Sequence, residues 1–516
     1  MIVEISYLEL SKLLKSKLSL EQVIENLDML GTPVDDIKGD TLRVEVFPNR
    51  VDMLSPEGLA RSLNGFTGGD TGYPTWIIEP SNVDTDVKTT SRPFVSFSTV
   101  KEVNFTSESL ASLMQMQEKL HTTVGRDRRK YSIGVYDLDK IKPPITYKEL
   151  PLKDIMFCPL EESSDMTGKE ILEKTEKGKK YAHLVTDKAP VLMDSKGKIL
   201  SMVPILNAEF CKVTENTKNV FIDSTGTSQG TDNIVAMIAT SIADRGGKIG
   251  VVFPGPTFLS KRVKAPLDYV NRLLGLSLSE NEFTKMLSKM RIGYDGEALV
   301  PPYRMDMFTE MDVAEEVAIA YGYDKFKGKL SPSYSPGEPL ESSLLSNELR
   351  KIMVGMGFLE LKTFMLTSPE ILKLSGGHKL AASNSKSLEY SALRQSLLPG
   401  IFDVLNFNKN ADYPQRVFEI GHVFLPEEKE YVSGIIIHKE ANFSEVKGMV
   451  DRLIKTISKE VKWENGSHEF FMEGRTATSN AGVYGEVSLS ISEKLGMPMT
   501  AFEVDITKLK LQERIL

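Results

Sequence analysis

In LSLEQVIENLDMLG the apolar residues Val23, Leu27 and Leu30 fall on one helical face and Gly31 follows as a stop, which predicts an amphipathic helix. A helical pattern on Leu8, Leu10, Leu13 and Leu14 precedes it. TLRVEVFPNR alternates apolar and polar residues and predicts a strand. SPEGLARSLNG then reads as a third helix, capped by Ser55 with Pro56 at its first position. This pattern returns later in the chain. Residues 273–293 repeat the pattern of 13–31, and FPNRVDMLSPEGLARSLNGFTGGD (47–70) aligns without a gap on PPYRMDMFTEMDVAEEVAIAYGYD (301–324). Arg50/Arg304, Asp52/Asp306, Ala60/Ala314 and Gly68/Gly322 are among the shared positions, so a small helix–helix–strand–helix module is duplicated within the chain.

Between the copies the pattern is that of a larger α/β unit. Residues 76–95 are polar and aperiodic and read as a linker. Helix SESLASLMQMQEKLHTTVG runs through a basic cluster (Arg126, Arg128, Arg129, Lys130) into a strand. APVLMDSKGKILSMVPILNAEF reads as a hairpin turning on Ser-Lys-Gly-Lys, and strand NVFIDSTGT, helix TDNIVAMIATSIADRGG and strand KIGVVF close the unit. The Pro- and Ser-rich stretch 332–342 marks another linker. Beyond it, helices NELRKIMVGMGF and FSEVKGMVDRLIKTISK are interspersed with strands LELKTFML, QRVFEIGHVFL and YVSGIIIH, and later with strands around VYGEVSLSI and MTAFEVDI.

Composition narrows the class. A chain of 516 residues holds several cores, at about 150 residues per domain. Its 41% hydrophobic and 26% charged content is that of a soluble globular protein. Two cysteines, Cys158 and Cys211, exclude a disulfide framework or a four-cysteine zinc site and fit a reducing cytosol. No apolar run reaches the ~18 residues of a membrane span, and Glu4 and Glu9 break any signal-peptide pattern. The net charge of −8 gives no global pull toward nucleic acid, so RNA contact is local or shared with a partner chain. His121 and His422 read as surface or packing residues, and no Gly-rich nucleotide loop or nucleophile elbow is present.

Three stretches hold candidate chemistry. At 301–324, Asp306, Asp312, Glu315 and Glu316 converge on one helix start. Asp312 with Glu315 matches a capping box opened by Asp, and clustered carboxylates also suit a hard cation such as Mg²⁺. The duplication acts as a control. The pairs Arg50–Asp52 and Arg304–Asp306 occur in both copies and read as a structural brace, while Asp312, Glu315 and Glu316 face Gly58, Arg61 and Ser62. The second copy thus holds more negative charge than capping requires, which puts a cation site, or a docking surface for a basic partner, level with the cap. In IDSTGTSQGTDN, Asp223 and the hydroxyls of Ser224, Thr225 and Thr227 precede a helix start. Such a loop can hold a small polar ligand, or simply make a strand-to-helix turn. The basic cluster at 126–130 is either solvated surface or a phosphate contact.

FPNRVDMLSPEGLARSLNGFTG, PPYRMDMFTEMDVAEEVAIAYGYD, LRQSLLPGIFDVLNFNKN and QRVFEIGHVF together resemble the β subunits of archaeal and eukaryotic phenylalanyl-tRNA synthetases, over essentially the whole chain. The resemblance implies an α/β and α+β multidomain fold with two copies of a small helical, winged-helix-like module. Its parts are an N-terminal helical module at 1–80, an α/β editing domain at 90–260 and a metal-bearing helical domain at 262–332, followed at 340–516 by a class II synthetase-like antiparallel-sheet module without an active site. The implied function is that of a ligase subunit in a cytoplasmic assembly of two α and two β subunits. ATP would be bound mainly by the catalytic α subunit, while this chain would contact tRNA(Phe) and hydrolyse mischarged Tyr-tRNA with a positioned water. By the same resemblance, Asp306, Asp312, Glu315 and Glu316 would hold a Mg²⁺ shared with the α subunit, because their Asp-x5-Asp-x2-Glu-Glu spacing matches the family's. Leu192, Ser201, Asp223 and Thr225 would line the editing pocket, the tyrosine hydroxyl being read at Asp223 and Thr225. QRVFEIGHVF lacks the Arg-x-x-x-Phe context of a class II synthetase active site and GVYGEVSLSI has no G-x-G-x-x-R, so the aminoacylation site is expected on the α subunit. Two other readings stay open: a synthetase-derived RNA-binding or scaffold protein without ligase activity, and a stand-alone hydrolase of aminoacyl-tRNA built on 96–260 alone.

Overall fold

The computed structural model describes the chain apart from residues 89, 332, 377–379, 458–460 and 510–516. It divides into two units, Met1–Lys329 and Leu330–Leu516. Among the described residues, no helix is long and apolar enough to cross a membrane.

Both ends of the first unit share one order of elements: strand, helix, helix, hairpin, helix. At the N-terminus these are Ile2–Ser6, Tyr7–Leu13, Leu20–Met29, the hairpin Val34–Lys38 with Thr41–Glu45, and Pro56–Phe66. The second set is Lys261–Val263, Leu267–Leu274, Glu280–Lys289, the hairpin Gly293–Tyr294 with Ala298–Val300, and Glu310–Tyr321. In each three-stranded sheet the last strand lies between the other two. The second helix of each set starts in a capping box, Ser19 with Gln22 and Ser279 with Glu282, and buries Val23 and Leu27 or Phe283 and Leu287. The repeat is therefore longer than the helix–helix–strand–helix pattern predicts. The leading strand and one hairpin arm escape notice because in the second copy they span only two or three residues.

Two five-stranded sheets lie between these sets. The first has the order Ile78–Pro80, Lys248–Val251, Phe94–Lys101, Val220–Gly226, Tyr131–Asp137. The second has the order Leu206–Asn207, Ile199–Met202, Lys188–Met193, Ile145–Pro151, Thr85–Val87. Residues 76–95 are thus not a free linker: Ile78–Pro80 and Thr85–Val87 are parallel edge strands, largely exposed because an edge buries little. Strand Val220–Gly226 is buried throughout, and its side chains alternate. Val220 and Ile222 join the core with Ile234 and Ile238 of helix Thr231–Ala243. Phe221 instead packs with Phe97, Tyr136 and Leu192 in the core shared with the second sheet. Asp223, Ser224 and Thr225 belong to this strand, as NVFIDSTGT predicts, and the loop that IDSTGTSQGTDN suggests begins only after Gly226.

In the second unit one sheet runs in the order Leu359–Glu360, Gln415–Leu425, Glu427–Ile437, Met499–Asp505, Gly482–Val487, Phe471–Ser479, Glu464–Asn465. Its pairs are antiparallel except the first. Helices Glu341–Gly355 and Phe443–Ile457 cover one face through Leu349, Val450, Phe418 and Phe502, and helix Leu398–Phe407 covers the other through Ile401, Val417 and Ala501. LELKTFML is a strand only at Leu359–Glu360 and Leu366–Thr367. Between them Thr363 donates from its backbone N and its Oγ1 to Glu419, a side chain, instead of continuing a ladder.

Candidate functional site

The helix start at Glu310 shows how each of the four carboxylates is used. Thr309, not Asp312, is its N-cap, and Asp312 is the third helical residue of a capping box. Asp312 Oδ2 accepts from the backbone N of Phe308 and of Thr309, each at 2.7 Å. Asp306 and Glu316 both lie on Arg304. Arg304 Nε and Nη2 reach Asp306 at 2.8 and 2.7 Å, and Nη1 and Nη2 reach Glu316 at 3.1 and 2.7 Å. Burial alone would raise the Glu316 carboxyl, but the charges of Arg304 and Arg50 outweigh it and hold it below its ordinary value. Glu315 points to solvent. The first copy repeats the brace: Arg50 grips Asp52 at 2.9 Å through both Nε and Nη2 and takes Ser62, the counterpart of Glu316, at 3.0 Å. Among the described residues no group of three or more His, Cys, Asp or Glu side chains is arranged to hold a metal ion. As folded, the four carboxylates do not fit a closed cation cage, since a cation would compete with Arg304 for two of them.

A cavity in the first unit encloses about 450 Å³ and is lined by Tyr136, Ser201 and Asp223, with Met114, Val203 and Ile205 among its apolar walls. Tyr136 Oη lies 2.7 Å from Asp223 Oδ1 and 3.0 Å from Ser201 Oγ, so one phenol joins the two sheets. Burial pushes the Asp223 carboxyl up to about 7, against the opposing effects of the Tyr136 hydrogen bond and the Arg92 charge. Leu192 pairs with Ser201 across the hairpin and is fully buried beside the cavity rather than lining it. Thr225, two residues from Asp223 along the strand, is also fully buried, with Oγ1 lacking a hydrogen-bond partner. Of these residues, Tyr136 is one that pattern reading missed. Its signal is the alternation of YSIGVYD, but the partner 87 residues away is set by sheet pairing.

At the wall of this cavity, which Arg128 helps to line, the basic cluster splits by role. Arg126, Asp127 and Arg128 all have positive φ (49°, 52° and 63°), three consecutive left-handed residues without a glycine. The third is buried and anchors the turn. Arg128 Nη1 donates to Ile205 O at 2.8 Å and to Pro204 O at 3.2 Å, Nη2 reaches Glu118 at 3.2 Å, and its guanidinium lies 4.6 Å from the Tyr181 ring centre. Arg126 and Arg129 face solvent, so they and not Arg128 are free to meet a phosphate. His121 packs as expected: burial pushes it down to about 4, and Nε2 accepts the backbone N–H of Ile133 at 2.9 Å. Glu118, 3.5 Å from His121 Nδ1 and bonded to Arg128, is held down to about 2 by these two neighbours.

Two family models match the chain. Phenylalanyl tRNA synthetase beta chain CLM domain covers residues 330–506, and tRNA synthetase B5 domain covers 263–323. They set the class, a chain assembled from tRNA-synthetase domains. The phenylalanine–tRNA ligase beta subunit of Methanocaldococcus jannaschii is 35% identical over 544 aligned residues, covering 98% of this chain and 99% of the relative. That of Archaeoglobus fulgidus is 36% identical over 522, covering 94% and 95%. Among solved structures, an N-terminal fragment of the phenylalanyl-tRNA synthetase beta-subunit from Pyrococcus horikoshii matches with a TM-score of 0.58 at 35% identity, over 62% of this chain and 99% of the fragment. The chain belongs to the family of phenylalanine–tRNA ligase β subunits.

Proposed function

We propose that this chain is the β subunit of a cytoplasmic phenylalanine–tRNA ligase of two α and two β subunits. It contacts tRNA(Phe) and hydrolyses mischarged Tyr-tRNA, while ATP and phenylalanine are handled mainly by the α subunit. The observation that carries this reading is identity of 35% spread over 98% of the chain. In this reading residues 90–260 are the editing domain, 1–80 and 262–332 are winged-helix-like modules, and 340–516 is a class II synthetase-like scaffold. Editing takes place in the cavity at Asp223 and Ser201, with Leu192 and Thr225 as its buried backing. A phenol entering there meets an acceptor that phenylalanine would leave unpaired, which is the basis of strong discrimination. The hydrolytic nucleophile is a positioned water.

Mg²⁺, implied by the family, is shared with the α subunit at the start of helix Glu310–Tyr321. Asp312 and Glu315 are the two carboxylates there that Arg304 does not grip, with Asp306 and Glu316 bracing beneath them. The test is direct. The purified chain alone gives no ATP–pyrophosphate exchange, and the chain with its α partner forms Phe-tRNA. Asp223→Ala in that complex still forms Phe-tRNA but lets Tyr-tRNA accumulate. Robust exchange by the chain alone, or unchanged Tyr-tRNA clearance by the variant, would sink the assignment.

A further inference from the structure

Asp223 is a buried carboxylate with an unusual set of neighbours. Arg92, the cation whose charge acts on it, does not bind it: Nη1 donates to Arg129 O at 3.2 Å and Nη2 to Thr225 O at 3.1 Å. What does hold it is Tyr136, through Oδ1 alone. A phenol has one proton to give, so Tyr136 donates to the carboxylate and accepts from Ser201. A carboxylate accepts about four hydrogen bonds, and Asp223 makes this one in a core that also holds Phe97 and Phe221.

The approach of the two groups is set by a glycine. Gly134 lies opposite Asp223 in the sheet. A Cβ there would stand 2.1 Å from Tyr136 Oη and 2.2 Å from Asp223 Oδ1. Any other residue at 134 would separate the phenol from the carboxylate. Gly134, Tyr136, Ser201 and Asp223 all line the same cavity.

We propose that Tyr136 is the positioning residue of the hydroxyl-reading site: Ser201 and Gly134 hold its phenol on Asp223 Oδ1, and Asp223 Oδ2 is left to accept the hydroxyl of a tyrosyl group in the cavity. This rests on the editing reading above. It adds a specificity element formed by the chain's own tyrosine, held in a space that only glycine leaves open. Without the phenol, the carboxylate loses the one donor that fixes its orientation and favours its charged form. Tyr136 and Arg92 act on Asp223, Asp223 in turn acts on Tyr147, and Cys211 acts on Tyr136.

The test uses the chain in complex with its α partner and follows deacylation of Tyr-tRNA against pH. Tyr136→Phe keeps the ring and removes the donor. It slows deacylation about tenfold, the worth of one charge-assisted hydrogen bond. It also moves the rising limb of the pH profile to higher pH, because Asp223 ionises later without the phenol. Gly134→Ala gives the same two changes, and Ser201→Ala a smaller shift in the same direction. A merely structural Tyr136 would lower the rate through instability and leave the profile in place. An unshifted profile in both Tyr136→Phe and Gly134→Ala overturns the proposal. If the wild-type complex clears no Tyr-tRNA, the editing reading fails separately, and calorimetric binding of L-tyrosine against L-phenylalanine to the full chain decides this one. Preference for tyrosine that Tyr136→Phe abolishes supports it. No preference, or one that survives Tyr136→Phe, overturns it.

Discussion

Replacing Glu316 separates a brace from an ion ligand. Glu316→Gln keeps the shape of the side chain and removes the charge that faces Arg304 at 2.7 and 3.1 Å. Removing one partner of a buried pair costs about 3–5 kcal/mol, because the other charge is left uncompensated. Here Asp306 keeps both of its bonds to Arg304, which puts the loss near the low end, about 3 kcal/mol. The first unit spans 329 residues. Unfolding entropy of about 2.1 cal/mol/K per residue gives roughly 0.7 kcal/mol/K for a unit of that size, so its melting temperature falls by about 4 °C. The assay is differential scanning calorimetry of the full chain at pH 7, in EDTA and in millimolar Mg²⁺, with the same fall expected in both. The folded carboxyl titrates below its ordinary value, so its contribution is present above the ordinary glutamate pKa and is lost as pH falls through the lowered one. The difference between wild type and variant therefore fades in acid. A fall seen only with Mg²⁺, or none at all, would refute the brace and return Glu316 to the ion.

Three further outcomes follow from other parts of the molecule. Asp223, with its pKa raised to about 7, stabilises the fold below the ordinary aspartate pKa and loses that contribution as pH rises toward 7. Asp223→Asn therefore raises the melting temperature at pH 8 and has little effect at pH 4; equal effects at both would contradict the burial argument. Arg126 is exposed with φ 49°, and Arg126→Gly relieves a conformation that costs an ordinary residue about 1 kcal/mol, whereas Arg126→Ala does not. Chemical denaturation should rank the glycine variant above the alanine variant, and the reverse order would count against strain in the turn. In the second unit Arg394 Nη1 meets the fully buried Glu419 at 2.7 Å, and Arg394 also donates to His422 O and Thr363 Oγ1. Glu419→Gln should cost about 3–5 kcal/mol, and an unchanged denaturation midpoint for that unit would show the pair to be replaceable.

What the sequence revealed was mostly local. Helices Leu20–Met29 and Thr231–Ala243 lie where their apolar periods predict, and the hairpin turn at Gly197 lies where Ser-Lys-Gly-Lys predicts. The duplication did more, since comparing the copies picked out the Arg–Asp brace before any geometry was known. The family resemblance pointed to Asp223 and Ser201, which share a cavity. Thr309 is legible in its own right, since Thr-x-x-Asp is a capping signature one turn before the Glu315–Glu316 pair. Tyr136 and the edge strand Thr85–Val87 were not legible, because their partners are chosen by pairing between distant strands. Nor was the commitment of Glu316 to Arg304, since spacing lists four carboxylates without saying which cation each will meet.

The copies also touch. Arg61 of the first lies with its guanidinium 4.2 Å from the ring centre of Tyr303 of the second, and Gly72 N donates to Ser288 O at 2.8 Å. A homodimer of such modules would write both halves of its contact with one sequence, so every change would appear twice. Joined on one chain, the halves are free to drift apart. Ser62 and Glu316 stand under equivalent arginines, one neutral and one charged, and Arg61 answers the exposed Glu315 at the matching position. The pair has become a heterodimer tied by its own backbone, in which neither half can replace the other. Exchanging segments 56–67 and 310–321 would hand Arg50 a second carboxylate beside Asp52 and leave Arg304 with a hydroxyl beside Asp306.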